Sequence, residues 1–292
     1  MAKRSATPPP PEPASGIFTL LRQSGLGTLI VVCGLLSGTA WFLWQQVHRT
    51  VATRGDYQLD LNDIELPSKP AWIRADVRAE ALRDASLDPP LSVLDDPLRE
   101  RLFKAYSLHP WVSRVDSVQL TYPAHANIKL QYRRPVAMVD VNSGLLPIDA
   151  AGTLLPTRDF EKQPDMLKYP RLKVSVGSPT APAGTVWENP IILGGVQIIT
   201  ALEPIWNQAE LQELRWVEDL ANVGSITRHY VLETKSGGTL IWGQAPGREH
   251  VGELPATDKI ASLKRWTEQP GGLNGVLKQN TIDLRTNNAW PK

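Results

Sequence analysis

Cysteine is almost absent from this chain of 292 residues: Cys33 is the only one, and it lies within an apolar run. A single cysteine excludes an intramolecular disulfide, a CxxC redox pair and a cysteine-rich zinc site. The net charge is also small, since 31 Lys and Arg residues against 30 Asp and Glu residues give +1. That balance offers phosphate no general attraction and disfavours nucleic-acid binding. The folded part must therefore be held by an apolar core.

Common catalytic motifs are missing as well. The sequence contains no HExxH, GxSxG, GxxxxGK[ST] or SxxK motif and no GxGxxG after a strand. The histidines show no metal-ligand spacing. The acidic pair Asp95-Asp96 fits a helix cap, and Glu218-Asp219 fits a solvated surface. The sequence therefore predicts no catalytic residue, no metal site and no cofactor. A membrane-anchored hydrolase stays an alternative, because catalytic residues from distant segments can escape a motif search.

A long uncharged run lies near the N-terminus. Residues 26–44 carry no charge, and the uncharged stretch extends from Gln23 to Val47. This length spans a bilayer as a helix, so a transmembrane helix is predicted over residues 26–47. Basic residues are in excess before the run, which places the N-terminus in the cytoplasm and the body outside it. The proline-rich residues 1–25 are predicted to form a short disordered cytoplasmic tail.

A cleaved signal peptide is the alternative interpretation of this run. Residues 29–36 have the length of its apolar core, and the small residues at 37–40 resemble a cleavage site. However, the leader is long for a signal peptide and the apolar stretch continues through Trp44. These two features favour an anchor that is not cleaved.

The first part of the body has the pattern of a small mixed domain. Residues 57–66 alternate as a strand does, and residues 70–86 have a helical face with Ile73, Val77 and Ala81. A second helix begins at Pro97 and ends before His109-Pro110. An alternating hairpin follows, with its turn at 123–127. The predicted order is β-α-α-β-β, a small sheet covered on one side by two helices.

The second part, which we begin near Val139, is predicted to be rich in short strands. Asn189-Pro190 marks a helix start, and Pro204 ends that helix. The other predicted elements are two strands within 145–155 around a turn at 149–152, strands at 172–176, 230–234 and 239–243, a helix over 258–268 and a last strand at 281–285. The fold class is therefore α+β, with a single N-terminal transmembrane helix, a β-α-α-β-β domain and a β-rich C-terminal domain with flanking helices.

Three segments resemble the FtsQ/DivIB family of bacterial cell-division proteins. Residues 109–112 (HPWV) resemble the "PWV" segment of the family's POTRA domain. Residues 133–137 (RRPVA), followed by 148–152 (IDAAG), are similar to its "ErxPvA … vDxxG" passage, and residues 282–285 (IDLR) resemble its terminal "vDLRY" strand. The chain departs from the family pattern at Arg133, where Glu is frequent, and at Thr286, where Tyr is usual.

The resemblance implies a non-enzymatic scaffold that links early and late division proteins in the inner membrane at the division septum. It implies a POTRA-like domain at 57–138 that meets upstream division proteins. It also implies an FtsQ-type β-domain at 139–292 that binds small coiled-coil proteins of the FtsB/FtsL type. The runner-up is a POTRA-bearing accessory of envelope assembly or transport outside division, because fold does not fix function.

The resemblance also implies where partners bind. The expected partner-binding residues are those of the terminal strand: Thr281, Ile282, Asp283, Leu284, Arg285 and Thr286. An exposed edge there would accept a strand from another chain. Alternatively, Ile282 and Leu284 are ordinary core residues of a paired strand. At the domain junction, Arg133 and Arg134, which precede Pro135, either face a partner or are simply solvated. Trp111 is expected to be a packing residue.

Overall fold

The chain forms a long N-terminal helix followed by two units that each contain a sheet. A computed structural model describes residues 26–52, 55–160, 163–221, 225–277 and 281–286. The disordered tail predicted for residues 1–25 lies outside these residues, so that expectation stays a prediction.

The N-terminal helix, α1 (Leu26–Ala52), contains the predicted span. Its segment Gly27–Gln46 has a mean hydropathy of 1.7, and the rest of the protein buries none of it. Large apolar side chains such as Leu29, Phe42 and Trp44 are exposed. Exposing this much apolar surface to water is unfavourable. By length and composition, α1 is therefore able to cross a membrane.

The first unit contains the predicted β-α-α-β-β elements together with two short strands that the predicted order lacks, one before the first strand of its sheet and one between the two helices. A three-stranded sheet has the strand order β2-β5-β4, with β2 parallel and β4 antiparallel to β5, and a separate antiparallel pair joins β1 to β3. The elements are β1 (Gln58–Leu59), β2 (Ile64–Glu65), α2 (Val77–Asp84), β3 (Leu91–Ser92), α3 (Leu98–Leu108), β4 (Val112–Thr121) and β5 (His125–Tyr132).

Two local predictions in this unit were wrong in extent. The strand expected over 57–66 is broken by a 3₁₀ turn at Leu61–Asp63, where the Asp63 carboxylate accepts the N–H of Asp60. A side chain that satisfies the backbone locally in this way competes with strand pairing. The helix expected from residue 70 begins only at Val77, because the preceding N–H groups of Arg74 and Ala75 are donated to Asp159. Ile73, Val77 and Ala81 are nevertheless buried together, as predicted.

The second unit is built on a seven-stranded mixed sheet with the strand order β12-β11-β10-β9-β8-β6-β7. Its elements are β6 (Pro135–Val141), β7 (Gly144–Asp149), α4 (Gln163–Met166), β8 (Arg171–Lys173), α5 (Pro190–Leu202), β9 (Leu211–Ala221), β10 (Ser225–Thr234), β11 (Thr239–Gly243), α6 (Ala256–Thr267), α7 (Gly272–Leu277) and β12 (Thr281–Asp283). Helices α5, α6 and α7 share one apolar core with this sheet.

Helix α5 confirms its predicted start. The Asn189 side chain accepts the N–H groups of Ile191 and Ile192, and Pro190 occupies the first helical position. The helix packs closely on the sheet, because a Cβ at Gly194 would overlap the hydroxyl of Tyr230. That hydroxyl donates to the carbonyl of Ile191 at 2.6 Å. Glycine is therefore required where α5 crosses β10.

The chain enters the larger sheet at Pro135, earlier than the boundary placed near Val139. Strand β6 contributes to both units. The side chains of Ala137 and Val139 lie in the core of the larger unit, and that of Met138 lies in the core of the smaller one. Side chains on opposite faces of one strand thus join the two cores.

Candidate partner-binding edge

Strand β12 lies at one end of the larger sheet. It pairs in parallel with β11, with Thr239 opposite Thr281 and Ile241 opposite Asp283, and no other described strand pairs with it. The strand at the opposite end, β7, is less open. There the N–H of Leu155 donates to the carbonyl of Pro147, and Asp149 donates to Thr153. Among the residues that the structure describes, β12 is therefore the more accessible edge of this sheet.

The main chain of β12 has one paired and one open side. The N–H of Leu284 donates to the carbonyl of Ile241 at 2.9 Å. Because ladder groups alternate along a strand, those of Ile282 also face β11, and those of Thr281 and Asp283 face away from it. The open side thus presents the main-chain hydrogen-bonding groups of two residues, Thr281 and Asp283.

The side chains of the predicted terminal strand fall into two sets. Leu284 is 1% exposed, and Ile282 is half-buried against the same core. For these two residues the structure shows the core packing that the alternative interpretation expected. Thr281 and Thr286 are exposed. A partner reaching this edge would therefore meet main-chain groups and threonines rather than the two apolar side chains.

Strand β12 ends at Asp283, whose side chain forms an ion pair with Arg285. The Asp283 carboxylate accepts the main-chain N–H of Arg285 at 2.9 Å, and the Arg285 guanidinium donates to it at 2.7 Å. Burial opposes ionisation, but the bonds from Arg285 outweigh it and hold the pKa of Asp283 below its usual range. Both residues are therefore charged and largely neutralised by each other.

A buried carboxylate next to this edge was not predicted from the sequence. Glu253 accepts the Lys259 ammonium at 2.6 Å, the Gln244 N–H at 2.8 Å and the His250 N–H at 3.2 Å. Burial raises its pKa, but these donors more than compensate, so the pKa of Glu253 is lowered. The Lys259 side chain is fully buried, and its ammonium lies 5.0 Å from the centre of the Trp242 ring. No sequence spacing identifies this cluster, because a loop and a helix bring its members together.

A pocket of about 430 Å³ opens beside the same strands. It is lined by Trp216, His229, His250 and Arg285, among others. Burial lowers the pKa of His229, whose Nε2 lies 3.4 Å from an Asp219 carboxylate oxygen. Within the described ranges, no group of three or more His, Cys, Asp and Glu side chains is placed to hold a metal ion.

At the domain junction the two arginines have different roles. Arg133 donates to Asp149 at 2.7 Å and to Thr153 at 3.1 Å, and the side chains of Arg133 and Asp149 are both largely buried. Arg133 is thus an internal structural residue. Arg134 forms an ion pair with Glu203 at the surface, and Pro135 begins β6.

A second buried carboxylate ties the two units together. Asp159 is 3% exposed and accepts the N–H groups of Arg74 and Ala75 and the indole N–H of Trp111, each at 2.7 Å. Trp111 is fully buried, as expected of a packing residue, with this carboxylate as the partner of its indole. The side chain of Asp159, in the segment after β7, therefore accepts three hydrogen bonds from residues of the first unit.

We expect Asp159→Ala to lower the free energy of unfolding by about 3 kcal/mol or more, because it leaves three donors without a partner. Urea unfolding of the full chain in detergent measures this. Asp165→Ala is the matched control, since its ion pair with Arg74 is partly exposed and should contribute about 1 kcal/mol or less. Equal effects of the two variants would contradict the anchoring role of Asp159.

His109 makes stability depend on pH. Its side chain is fully buried, Nδ1 accepts the N–H of Trp111 at 3.2 Å, and Nε2 lies 3.4 Å from a Glu80 oxygen. Burial outweighs the attraction of Glu80 and holds the pKa of His109 below its ordinary 6.5. Because the pKa of His109 is lower in the native state than in the unfolded chain, the unfolded chain binds the proton more readily. The native state therefore loses stability as the pH falls below 6.5.

We therefore expect the melting temperature to fall as the pH is lowered from about 7 to about 5.5, and His109→Gln to weaken this dependence. Some dependence should remain, because burial also lowers the pKa of His229. His125→Gln is the control, since it removes a histidine on β5 whose side chain is 44% exposed rather than buried. An unchanged slope in His109→Gln would exclude this histidine as the source.

Comparisons of the chain with protein-family models and with curated proteins found no match.

Proposed function

We propose that this protein is a non-catalytic, membrane-anchored scaffold of the bacterial division machinery, of the FtsQ/DivIB type. The observation that carries the proposal is the open edge of β12. The strand that resembles the family's terminal segment is the strand at the accessible end of the sheet. In this proposal the edge recruits a later division protein while α1 holds the body at the inner membrane.

The order of the parts supports the proposal. An apolar helix long enough to cross a bilayer is followed by a β-α-α-β-β unit and then by a sheet-rich unit. We assign the first unit to the POTRA-like domain that meets upstream division proteins. Because Asp159 joins the two units, a protein bound to the first would be held at a fixed distance from one bound to the second.

The chemistry of the edge supports a protein partner. An added strand gains affinity from main-chain hydrogen bonds, and side-chain contacts then set its register. The open groups of Thr281 and Asp283 provide such bonds, and the exposed Thr281 is available for side-chain contact. We propose a short extended segment of a small coiled-coil membrane protein of the FtsB/FtsL type as the occupant.

Depletion of the protein from its source organism tests this function. We expect depleted cells to keep growing without septa and to form filaments. An accessory of envelope assembly would instead give a leaky or misassembled envelope in cells that still divide. Normal septation after depletion would contradict the proposal.

A further inference from the structure

We infer that the loop at Glu253 and Leu254 is a stop that limits a partner strand to Thr281–Asp283. This inference rests on the proposed function and adds to it. It assigns to the buried Glu253–Lys259 pair the role of positioning residues that fix the length and register of the recruited segment.

Both main-chain groups of Arg285 are already hydrogen-bonded within the chain. Its N–H donates to the Asp283 carboxylate at 2.9 Å, and its carbonyl accepts the N–H of Leu254 at 2.8 Å. Neither group is left to pair with an added strand. The open edge therefore ends at Asp283, although the chain continues with the exposed Thr286.

Leu254 is held firmly in this position. The preceding residue, Glu253, is fixed by three donors, and its side chain is only 4% exposed. The end of β11 leaves room for this carboxylate only because residue 243 is glycine, since a Cβ there would overlap Glu253. Gly243 has a φ of +98°, which also favours glycine. The loop is thus anchored to the sheet at the place where it blocks the edge.

A covered edge has a clear consequence for recognition. Loops that cover part of an exposed strand restrict the pairings that the strand can accept. With open main-chain groups on only Thr281 and Asp283, a partner can be shifted along the strand only by losing hydrogen bonds, because Leu254 prevents pairing beyond Asp283. Exposed strand edges tend to pair with many strands. With the stop in place, the edge of β12 would instead recognise one short segment in one register.

Site-specific photo-crosslinking in living cells tests the stop. A benzoylphenylalanine residue is placed at Thr281 in one chain and at Thr286 in another. In the native chain we expect a partner adduct from Thr281 and none from Thr286. Leu254→Pro removes the N–H that occupies the Arg285 carbonyl, and we expect it to raise the Thr286 signal about fivefold or more above the background of the native chain. Leu254→Ala keeps that N–H and should leave Thr286 without an adduct.

The outcomes separate the stop from the recruiting edge. Failure of Thr281 to crosslink in the native chain would contradict the proposed function. A Thr281 adduct together with an equal Thr286 adduct in the native chain would overturn the stop alone. If Leu254→Pro does not fold, the double variant Glu253→Gln with Lys259→Met loosens the loop by removing its bond to the Lys259 ammonium without leaving a buried charge unpaired, and a Thr286 adduct of the same size is expected. Absence of that adduct in the folded variants, with Thr281 still reactive, would also overturn the stop.

Discussion

A chain carrying Thr281→Pro is expected to reach the division site but to fail to support division in cells depleted of the native protein. Proline removes the N–H that faces the open side of β12, and its ring blocks an approaching strand. Proline is tolerated at the first position of a strand, and the pairing of Ile282 with β11 is retained. Loss of one main-chain bond together with this steric block should weaken partner binding about tenfold or more.

The matched control is Thr281→Val, which changes the same side chain and keeps the N–H. It should support division as the native chain does. Substitution of Ile282 is a poorer test, because this half-buried residue packs on the core and its loss would also destabilise the sheet. Full complementation by Thr281→Pro would show that β12 does not recruit through its main chain.

Lys259→Met is expected to lower the free energy of unfolding by about 3–5 kcal/mol. The substitution leaves the Glu253 carboxylate buried with its main-chain donors but without its only cationic partner at hydrogen-bond distance in the described residues. A buried charge without its counterion is strongly destabilising, whereas loss of both charges is tolerated far better. Urea unfolding of the full chain in detergent measures the difference.

Two further variants identify the cause of that loss. The double variant Lys259→Met with Glu253→Gln should recover much of the stability, because the neutral amide still accepts the two main-chain N–H groups. Lys264→Met lies on the exposed part of the same helix and should change stability by about 0.5 kcal/mol or less. A stable Lys259→Met, or a double variant no better than the single one, would contradict the role assigned to the pair.

The elements that could be predicted from the sequence carry strong local signals. Helix α5 has its cap at Asn189-Pro190, so its start was predicted correctly. The hairpin of β4 and β5 alternates over many residues around a short turn and was likewise found. In both cases the local sequence signal is strong enough to predict the element, although distant residues also pack against it.

The elements that escaped prediction depend on distant contacts. Strand β9 was not predicted, because a buried Glu213 interrupts the alternation between Leu211 and Leu214. The start of α2 was misplaced because Asp159, far along the chain, holds the preceding backbone. The accessible position of β12 follows from the strand order of the whole sheet. Resemblance of residues 282–285 to a family pattern pointed to the strand, but not to the loop that closes its end.

The central claim is that this protein acts at the site of division. A fluorescent protein fused to the cytoplasmic N-terminus leaves the β12 edge free, and time-lapse imaging in dividing cells of the source organism follows its position. The account predicts a band that forms at the constriction and persists until the daughter cells separate. A uniform signal around the membrane, without enrichment at any stage of the cycle, would contradict it.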